Sequence, residues 1–487
     1  MSITSDEVQN CINVLQRIIA DRGVLATLDE TQRKELMLVA GAVSRPHRHE
    51  RKRLLRVMRK GERDADRRHD ALIVGAALNR SARRSSSFVL PASTANPQHV
   101  APPANEEELI NPRACYICKQ DYRKVHAFYD SMCPPCAELN YAKRFQTARL
   151  DGRVALITGA RIKIGYQAAL MLLRAGARVI ATTRFPNEAA LRYAREPDFA
   201  EWGARLQLHG IDLRNLPLVE RFTRELGNTV GRLDLLINNA AQTVRRPPAY
   251  YSHLLDLEER PRQDLPANVQ SLLRADDQLR PVGSLSSPSP ARQALVALGP
   301  DDLAYGKELF PPGELDLDEQ QVDLRGVNSW RLPLAEVSTA EMLETHLINA
   351  AAPFILVARL KSLMARERTN EKHIVNVSAM EAQFARNKKT DKHPHTNMAK
   401  AALNMMTRTS AADYVNDGIF MNSVDTGWVT DEDPLKHVVR KQEVHDFHPP
   451  LDAIDGAARV CDPIFSGLLS GHHMWGLFLK DYKPTNW

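Results

Sequence analysis

The chain has 487 residues, of which 43% are apolar and 25% are charged, a composition typical of folded globular proteins. No run of 18 apolar residues occurs, and acidic residues appear early in the N-terminal segment, so the sequence predicts neither a membrane-spanning helix nor a targeting peptide. We therefore expect a cytoplasmic protein of two or three domains without a membrane partner.

The first 85 residues have the pattern of a helical, basic region. Apolar residues recur at helical spacing between residues 5 and 44, which predicts two amphipathic helices. Residues 45–84 contain fourteen Lys and Arg against five Asp and Glu, in a helix-like pattern interrupted near Gly61. Such a segment suits the phosphates of a nucleic acid, an acidic protein surface, or a solvated helical arm that binds nothing.

Residues 86–110, rich in Ser, Pro and Ala, are expected to form a linker. A cysteine module follows at 111–147, where two Cys-x-x-Cys pairs are separated by fourteen residues. Four thiolates offered by two tight turns suit a tetrahedral Zn²⁺ ion, and the spacing resembles treble-clef zinc fingers. We expect a β-hairpin between the pairs and a helix from Cys136 onwards. The predicted zinc ligands are Cys115, Cys118, Cys133 and Cys136.

This module has two interpretations: it binds a partner, or it caps the domain that starts a few residues later. A site with four cysteine ligands is closed, so the metal is expected to be structural and not catalytic. A redox role would need only one Cys-x-x-Cys pair, and four free cysteines would not explain the paired spacing.

From residue 150 to 487, apolar strand-like runs alternate with helix-like segments. This alternation predicts an α/β domain with a doubly wound, Rossmann-type parallel sheet of seven strands and helices on both faces. A Pro-rich segment at about 246–332 interrupts the alternation. We expect this insertion to be a lid over the site, a binding surface or an oligomer contact.

The first strand of this domain leads into "TGARIKIG", residues 158–165, and then into a helix and a second strand. The arrangement resembles the short-chain dehydrogenase/reductase family, which has T-G-x-x-x-G-x-G here and binds NAD or NADP. Lys163 replaces the middle glycine, where it either obstructs the pyrophosphate or supplies positive charge to it. The loop residues implied to bind the cofactor are Thr158, Gly159, Arg161, Lys163, Ile164 and Gly165.

Later segments match the same family in chain order. Arg184 follows the second strand, where an arginine favours the 2′-phosphate of NADP. Asp212 matches the residue near the adenine, and Asn239 and Ala240 match the family's N-N-A-G segment. Thr430 matches its contact to the nicotinamide amide. The alternative is a domain that keeps the fold but no longer holds a nucleotide.

The family's reaction uses an asparagine, a serine, a tyrosine and a lysine, and this sequence retains two of them. Asn349 and Lys400 stand at the family positions. Ser378 matches the structural serine that precedes the catalytic one, whose own position holds Ala379. The tyrosine position holds Thr396, and an aliphatic hydroxyl is a far weaker acid than a phenol with a pKa near ~10. The resemblance therefore implies a degenerate catalytic centre.

Two further sets of residues are candidates for function. His393 and His395 precede the active-site helix, and we single out His395 as a replacement acid; the alternative is a polar surface loop. Arg245 and Arg246 follow the fourth strand, where a carboxylate or phosphate of a substrate would suit them. Their alternative role is ion pairing with acids of the insertion, namely Asp316, Asp318 or Asp323.

Three functions remain open at this point. The preferred one is a nucleotide-binding protein that acts through a protein partner or as a homo-oligomer. The second is an NADP-dependent oxidoreductase that uses an unusual proton donor on an anionic small-molecule substrate. The third is nucleic-acid binding through residues 45–84, with an affinity that falls steeply with salt.

Overall fold

The computed structural model describes residues 3–84, 107–279, 289–294, 296, 306, 308–316, 320–386 and 389–487. It consists of two compact units, Met1–Ala71 and Leu72–Trp487. Most of the predicted linker lies outside the described residues. Its last residues belong to a strand that begins at Glu108, so the linker ends earlier than predicted.

The first unit consists of helices. Helix α1 (Ser5–Ala20) begins after Thr4 and helix α2 (Glu30–Ser44) begins after Asp29. In both, the oxygen of the capping side chain accepts hydrogen bonds from backbone N–H groups of the first turn, which would otherwise lack a partner. These helices confirm the two predicted between residues 5 and 44. None of the described residues of this unit is buried.

Helix α3 (Arg48–Gly75) passes through Gly61 without a break, so the predicted interruption is wrong. A single glycine costs a helix only about 1 kcal/mol, and the Arg, Lys, Glu and Leu residues around it favour helix. The last turn belongs to the second unit, where Ile73 and Val74 are buried. Helix α4 (Leu78–Arg84) follows it.

The cysteine module is built on a hairpin and a helix. Strand β1 (Glu108–Ala114) pairs antiparallel with β2 (Asp121–Lys124), and the first cysteine pair lies in the turn that joins them. Helix α5 (Pro134–Arg144) begins directly after Cys133. The hairpin predicted between the cysteine pairs is therefore wrong. The segment there buries Tyr129 in the module's core instead of extending a strand pair.

The large domain contains an eight-stranded sheet in the order β10-β9-β8-β7-β6-β3-β4-β5. All neighbours are parallel except β10, which pairs antiparallel with β9. This confirms the doubly wound fold and its seven predicted strands; β10 is short and was not predicted. The strands are β3 (Val154–Thr158), β4 (Arg178–Thr183), β5 (Leu206–Gly210), β6 (Leu235–Asn238), β7 (Lys372–Ser378), β8 (Ile419–Asp425), β9 (Phe478–Lys480) and β10 (Lys483–Thr485).

Helices cover both faces of the sheet. Alternate residues of β3 belong to two apolar clusters, Ala155 to one face and Leu156 to the other, as strand geometry requires. The helices are α6 (Lys163–Arg174), α7 (Pro186–Ala194), α8 (Phe199–Trp202), α9 (Leu216–Thr229), α10 (Pro248–Glu258), α11 (Ala267–Leu279), α12 (Pro290–Gln293), α13 (Thr339–His346), α14 (Ala352–Met364), α15 (Pro394–Tyr414), α16 (Leu435–His445) and α17 (Ala453–Ser470). The first face carries α6, α7, α11 and α17, and the second carries α9, α14 and α15.

Part of the insertion is integral to the domain. Helix α11 buries Val269, Leu272 and Leu273 in the apolar cluster of the first face. Its Asp276 accepts a hydrogen bond of 2.9 Å from the backbone N–H of Gly210, at the end of the edge strand β5. This part of the insertion therefore covers a sheet edge, and only other parts of it border the site described below.

The segment Thr339–Met364 is long and apolar enough to cross a membrane when judged by length and composition alone. Charged residues interrupt its apolar run, so it contains no stretch of 18 consecutive apolar residues. Half of its most apolar stretch is buried inside the protein, where α14 packs against α9 and β7. In this fold the segment comprises α13, α14 and the turn between them, and α14 contributes to the apolar core of the second face.

Candidate functional site

A cavity of about 990 Å³ opens at the carboxyl ends of the parallel strands. Its walls include Gly159 after β3, Arg184 after β4, Asn239 after β6 and Asp425 at the end of β8. Doubly wound sheets bind ligands at this edge because the strand order reverses there. Small-molecule sites span about 300–1,000 Å³, so this cavity has room for a large ligand.

The loop between β3 and α6 depends on two glycines and on a lysine in a glycine-like conformation. A Cβ on Gly159 would come within 2.8 Å of the Cα of Ala240, and one on Gly165 would overlap the carbonyl oxygen of Gly159. Lys163 has a φ of 55°, which costs a residue with a Cβ about 1–2 kcal/mol. The first turn of α6 lines the cavity, and its N–H groups suit a phosphate.

Thr158 and Asn239 fix this loop. The Asn239 side-chain N–H group donates to the carbonyl oxygens of Thr158 and Gly159 at 3.0 and 3.1 Å. The Thr158 hydroxyl oxygen accepts from the backbone N–H groups of Asn239 and Ala240 at 3.1 and 3.0 Å. The structure thus brings these four sequence-predicted residues together, and Ile164 lines the cavity beside them.

Two arginines border the cavity near β4. Arg184 donates to the Tyr251 hydroxyl at 2.8 Å, and its guanidinium carbon lies 4.6 Å from the centroid of that ring. Arg161 donates to the carboxylate of Glu188 at 3.1 Å. The hydrogen-bond partner of Arg184 is an uncharged phenol, and the nearby Asp212 carboxylate interacts electrostatically with its guanidinium.

Asp212 lies on the cavity wall after β5 and holds the turn that follows the strand. Its carboxylate accepts from the Arg214 backbone N–H at 2.9 Å and from the Arg214 guanidinium at 2.6 Å. Burial would raise the pKa of Asp212, but the Arg214 guanidinium outweighs burial and lowers it. The side chain is therefore an ionised carboxylate with a structural partner.

Lys400 and Thr396 lie one turn apart on α15 and both line the cavity. The Lys400 ammonium donates to the carbonyl oxygen of Val377 at 2.7 Å, and burial lowers the pKa of Lys400 to about 8. The Thr396 hydroxyl donates to the carbonyl oxygen of Thr243 at 3.4 Å. Lys400 therefore lies at the cavity wall, whereas the Thr396 hydroxyl donates its proton to a backbone carbonyl oxygen.

The end of β7 contributes Ser378 and Ala379 to the cavity wall. The Ser378 hydroxyl is buried and has no hydrogen-bond partner among the described residues. Ala379 presents only a methyl group. The position that precedes the catalytic serine thus keeps a hydroxyl, and the catalytic position itself has none.

Asn349 lies in a short π-helical turn, Leu347–Ala351, between α13 and α14. Its side chain donates to the carbonyl oxygen of Gln242 at 3.0 Å and accepts from the backbone N–H of Gln242 at 2.7 Å. Such turns are rare and often mark functional sites. Here both polar ends of the Asn349 side chain hold the loop that follows β6.

The two histidines before α15 have different surroundings. His393 lines the cavity, and its ring stacks on Trp330 with 3.8 Å between the ring centroids. Burial lowers the pKa of His393. His395, which the sequence singled out, is not among the described residues that line the cavity; it is buried 3.6 Å from the Glu341 carboxylate. Helical periodicity places residues 393 and 400 on one face and His395 on another.

Arg245 and Arg246 are both ion-paired. The guanidinium of Arg245 lies 2.7 Å from the Glu344 carboxylate, and that of Arg246 pairs with Asp323. Pairing with an acid of the insertion is thus confirmed for Arg246, while Asp318 lies outside the described residues. Of the two arginines, Arg246 lines the cavity.

The loop after β8 contributes a carboxylate, that of Glu432, to the cavity wall beside two basic side chains. Glu432 lies 3.9 Å from the Lys163 ammonium and 3.8 Å from the Arg246 guanidinium, and it accepts a hydrogen bond of 2.8 Å from Thr430. Burial would raise the pKa of Glu432, but the two cations lower it. The positive charge of Lys163, which the sequence analysis assigned to a cofactor phosphate, therefore also faces a carboxylate of the protein itself.

Two protein-family models match the chain: short chain dehydrogenase at residues 153–270 and enoyl-(acyl carrier protein) reductase at residues 325–448. These matches cover 118 and 124 of the 487 residues, about a quarter of the chain each, and both support the short-chain dehydrogenase/reductase family. The first match extends into the start of the insertion and the second begins near its end, so residues 271–324 within the insertion match neither model.

Individual relatives cover different shares of this dehydrogenase-fold chain. An uncharacterized protein of Acanthamoeba polyphaga mimivirus is 33% identical over 396 residues, which are 77% of this chain and 75% of the viral protein. The 3-oxoacyl-(acyl-carrier-protein) reductase of rhamnolipid biosynthesis in Pseudomonas aeruginosa is 30% identical over 171 residues, 32% of this chain and 61% of that enzyme. A solved short-chain dehydrogenase from Burkholderia cenocepacia, in complex with NADP, has 19% identity and a TM-score of 0.43, covering 68% of this chain and 97% of its own.

The four predicted metal ligands come together. Their sulfur atoms all lie within 4.8 Å of one another, and those of Cys118 and Cys133 are 3.6 Å apart. A tetrahedral zinc ion with Zn–S bonds of about 2.3 Å requires sulfur–sulfur distances of about 3.8 Å. The four thiols therefore fit a zinc ion.

The module is docked on the dehydrogenase domain through buried charges. The Arg144 guanidinium of α5 lies 2.8 Å from the carboxylates of both Asp452 and Asp455, at the start of α17. The Tyr129 hydroxyl donates to the same Asp455. This packing agrees with the capping interpretation of the module.

The cavity-wall residues that sequence reasoning missed include Tyr116, Lys119, Trp330 and Asp425. Asp425 had a detectable signal, since it is a polar residue at the carboxyl end of a buried strand. Burial raises its pKa. The other three come from the cysteine module and the insertion. No local sequence pattern indicates that these two segments pack against the strand ends.

Proposed function

We propose that this chain is an NADP(H)-binding protein with a short-chain dehydrogenase fold and a degenerate catalytic centre. It acts through nucleotide binding and protein partners rather than through rapid carbonyl reduction. One observation carries the proposal: the cavity keeps the crowded glycine loop and Lys400, while Thr396 and Ala379 occupy the positions that would handle a proton.

The described residues fit a nicotinamide nucleotide. The loop glycines and the first turn of α6 would hold the pyrophosphate, and Arg184 would hold the 2′-phosphate of NADP. Lys400 would hold the nicotinamide ribose. The buried, unpaired hydroxyl of Ser378 on the cavity wall is a polar group that a bound ligand would satisfy. When bound, this cofactor supplies a hydride.

Carbonyl reduction also needs a proton at the substrate oxygen. A phenol next to an ammonium can reach a pKa near neutrality, whereas an aliphatic hydroxyl cannot. The Thr396 hydroxyl donates to a backbone carbonyl, and Ala379 has no polar atom with which to orient a substrate. General acid catalysis contributes about 10²–10⁴-fold, so we expect turnover to be lower by about that factor.

We also propose a structural zinc ion bound by Cys115, Cys118, Cys133 and Cys136. The sulfur distances support it. Four thiolates fill the coordination sphere of zinc, so the metal would stabilise the module and take no part in a reaction.

The proposal assigns partner binding to the first unit. Its described helices expose apolar side chains, among them Ile19, Leu38 and Val43. The basic segment 45–84 favours an acidic protein surface. We propose a cytoplasmic protein partner, with a second copy of the chain as the alternative.

Two measurements on the purified full-length chain test the proposal. Calorimetric titration should give tighter binding of NADPH than of NADH, and Arg184→Ala should remove this preference. Oxidation of NADPH, followed by its absorbance with a panel of carbonyl compounds, should stay far below the 1–10³ s⁻¹ usual for enzymes. Failure to bind either nucleotide, or turnover in that range, would overturn the proposal.

The position of His393 favours a second candidate, an NADP-dependent oxidoreductase with an unusual proton donor. Its ring lines the cavity and is held by stacking on Trp330. If this candidate is correct, the chain shows activity that His393→Ala abolishes and the matched variant His395→Ala retains. Equal activity of both variants would contradict it.

A further inference from the structure

The turn that joins the two strands of the cysteine module is also a wall of the cavity. Cys115 and Cys118 lie in this turn, and Tyr116 and Lys119 of the same turn line the cavity together with Lys163 of the glycine loop. The turn is closed by a hydrogen bond of 3.1 Å from the Lys119 backbone N–H to the Cys115 carbonyl oxygen. Metal ligands and cavity wall therefore belong to one short piece of backbone.

Tyr116 connects this turn to the loop that follows β8. Its hydroxyl oxygen accepts a hydrogen bond of 2.9 Å from the backbone N–H of Trp428. Gly427, just before Trp428, has a positive φ of 74°, and a Cβ there would come within 3.2 Å of the Tyr116 hydroxyl. The same loop carries Glu432, which faces Lys163. The turn thus supports the loop after β8, which is part of the cavity wall.

The two sides of the module are held in different ways. Helix α5 is anchored to α17 by the ion pairs of Arg144, which involve no cysteine. The turn at Tyr116 is held by its own closing hydrogen bonds, by a backbone hydrogen bond of 2.8 Å from Tyr116 to Ser131, by the packing of Tyr116 on the apolar cluster of the module, and by its two thiols. Of these thiols, Cys115 is buried and Cys118 is exposed, so the metal position is reachable from solvent.

We propose that the zinc ion of the module positions Tyr116 as a wall of the nucleotide cavity, so that metal occupancy sets the affinity for NADP(H). The inference rests on the proposed function and adds a positioning residue and a metal dependence to it. Without the metal, the ends of the turn are no longer joined to the second cysteine pair. Tyr116 then loses its fixed position, and with it the support for the loop at Trp428.

The test uses the full-length chain and three readouts: zinc content, the dissociation constant for NADPH, and circular dichroism. Removing zinc with a chelator should raise the dissociation constant about three- to tenfold, the factor expected when one hydrogen-bonded support is lost. Adding zinc back should restore it. Tyr116→Ala should keep the zinc and show the same rise, while Tyr116→Phe isolates the contribution of the hydroxyl.

The decisive comparison combines zinc removal with the Tyr116→Ala substitution. In Tyr116→Ala, zinc removal should cause no further rise in the dissociation constant, because the residue that the metal positions is already absent. Cys118→Ser should behave like the chelated protein, and the matched variant Cys11→Ser, also at an exposed cysteine outside the module, should behave like the parent. Should Cys118→Ser fail to fold, the tyrosine variants decide the question.

Three results would overturn the inference. Equal affinity with and without zinc would end it while leaving nucleotide binding intact. Normal affinity in zinc-loaded Tyr116→Ala, or an equal loss on zinc removal in that variant and in the parent, would show that the metal acts only through the stability of the fold. If the zinc-loaded parent does not bind NADPH at all, the proposed function fails and this inference fails with it.

Discussion

Two parts of the cavity differ in how far they keep the family pattern: the glycine loop, residues 158–165, and the catalytic corner, which contains Ala379 and Thr396. Around the loop, Gly159 and Gly165 are retained, and the one replacement, Lys163, adopts the left-handed backbone that a glycine would take. At the other corner, Ala379 and Thr396 replace the two groups that would touch the substrate oxygen.

The contacts explain this difference. Asn349 and Lys400, the two family residues that remain at the catalytic corner, both bond to the protein's own backbone, at Gln242 and Val377. The loop glycines are required by close backbone packing. A serine and a tyrosine that contact only the substrate could be lost without disturbing the fold. The residues that remain are therefore those that the fold itself uses.

The largest expected effect comes from restoring the missing groups. The double variant Ala379→Ser with Thr396→Tyr should raise the rate of NADPH oxidation with simple carbonyl compounds by about 10²–10⁴-fold, the contribution of a positioned acid. Thr396→Val should leave the residual rate unchanged, because that hydroxyl is not the acid. A double variant that binds NADPH but gains no activity would show that the replacements at positions 379 and 396 do not explain the low turnover.

The next largest expected effect, on NADPH binding and stability, comes from changing the glycine loop. Gly165→Ala should abolish NADPH binding and lower the free energy of unfolding by about 1–3 kcal/mol, because the new Cβ overlaps the Gly159 carbonyl oxygen. Gly227→Ala is the matched control: no atom lies within 4 Å of that Cβ, and a helical alanine should stabilise by up to about 1 kcal/mol. Titration and urea denaturation measure both. Unimpaired binding in Gly165→Ala would show that no nucleotide uses this loop.

Lys400 provides a pH-dependent prediction. Between pH 8 and its ordinary value of 10.5, the folded protein has lost the lysine proton and the unfolded chain retains it, so stability should rise with pH in this window. Lys400→Met should remove this dependence. It should also raise the free energy of unfolding at pH 7 by about 2 kcal/mol, since the burial penalty of about 3 kcal/mol exceeds the lost hydrogen bond.

Urea denaturation at pH 7 and pH 9.5 checks the Lys400 prediction. Lys34→Met, at an exposed lysine of the first unit, is the control and should change neither value appreciably. A parent protein whose stability is flat between pH 8 and 10 would contradict the low pKa of Lys400.

The smallest effect concerns the carboxylate that faces the glycine loop. Glu432→Gln removes the negative charge shared by Lys163 and Arg246, so NADPH phosphates would no longer compete with it. We expect the dissociation constant to fall about two- to fivefold, and the effect to shrink at high salt. Calorimetric titration at two salt concentrations measures it. An unchanged constant would mean that neither cation approaches the phosphates.

Much of the fold could be predicted because its signals are local. The seven buried strands are apolar runs, and the cysteine pairs announce a cluster by their spacing. Where local signals were weak, the prediction failed: β10 is only three residues long, and the hairpin of the module lies around the first cysteine pair instead of after it. Gly61 did not break α3, because one glycine is a minor cost in a strongly helical segment.

The site was predicted in part, for a related reason. Residues on the strand ends, such as Gly159, Arg184 and Asn239, were found because the family pattern and the sheet topology fix them there. Choosing between His393 and His395 needed the direction of each side chain at the start of α15, which the sequence His-Pro-His does not reveal.

The sequence by itself determined the doubly wound sheet, the glycine loop, the clustered cysteines and the absence of a phenol four residues before Lys400. Only the tertiary structure decided that Tyr116 of the cysteine module borders the cavity, that Glu432 shares the cations near the loop, and that α11 covers the sheet edge. Periodicity and spacing report contacts between residues that are near in the chain. Contacts between distant segments depend on how the whole chain packs, and no short motif encodes them.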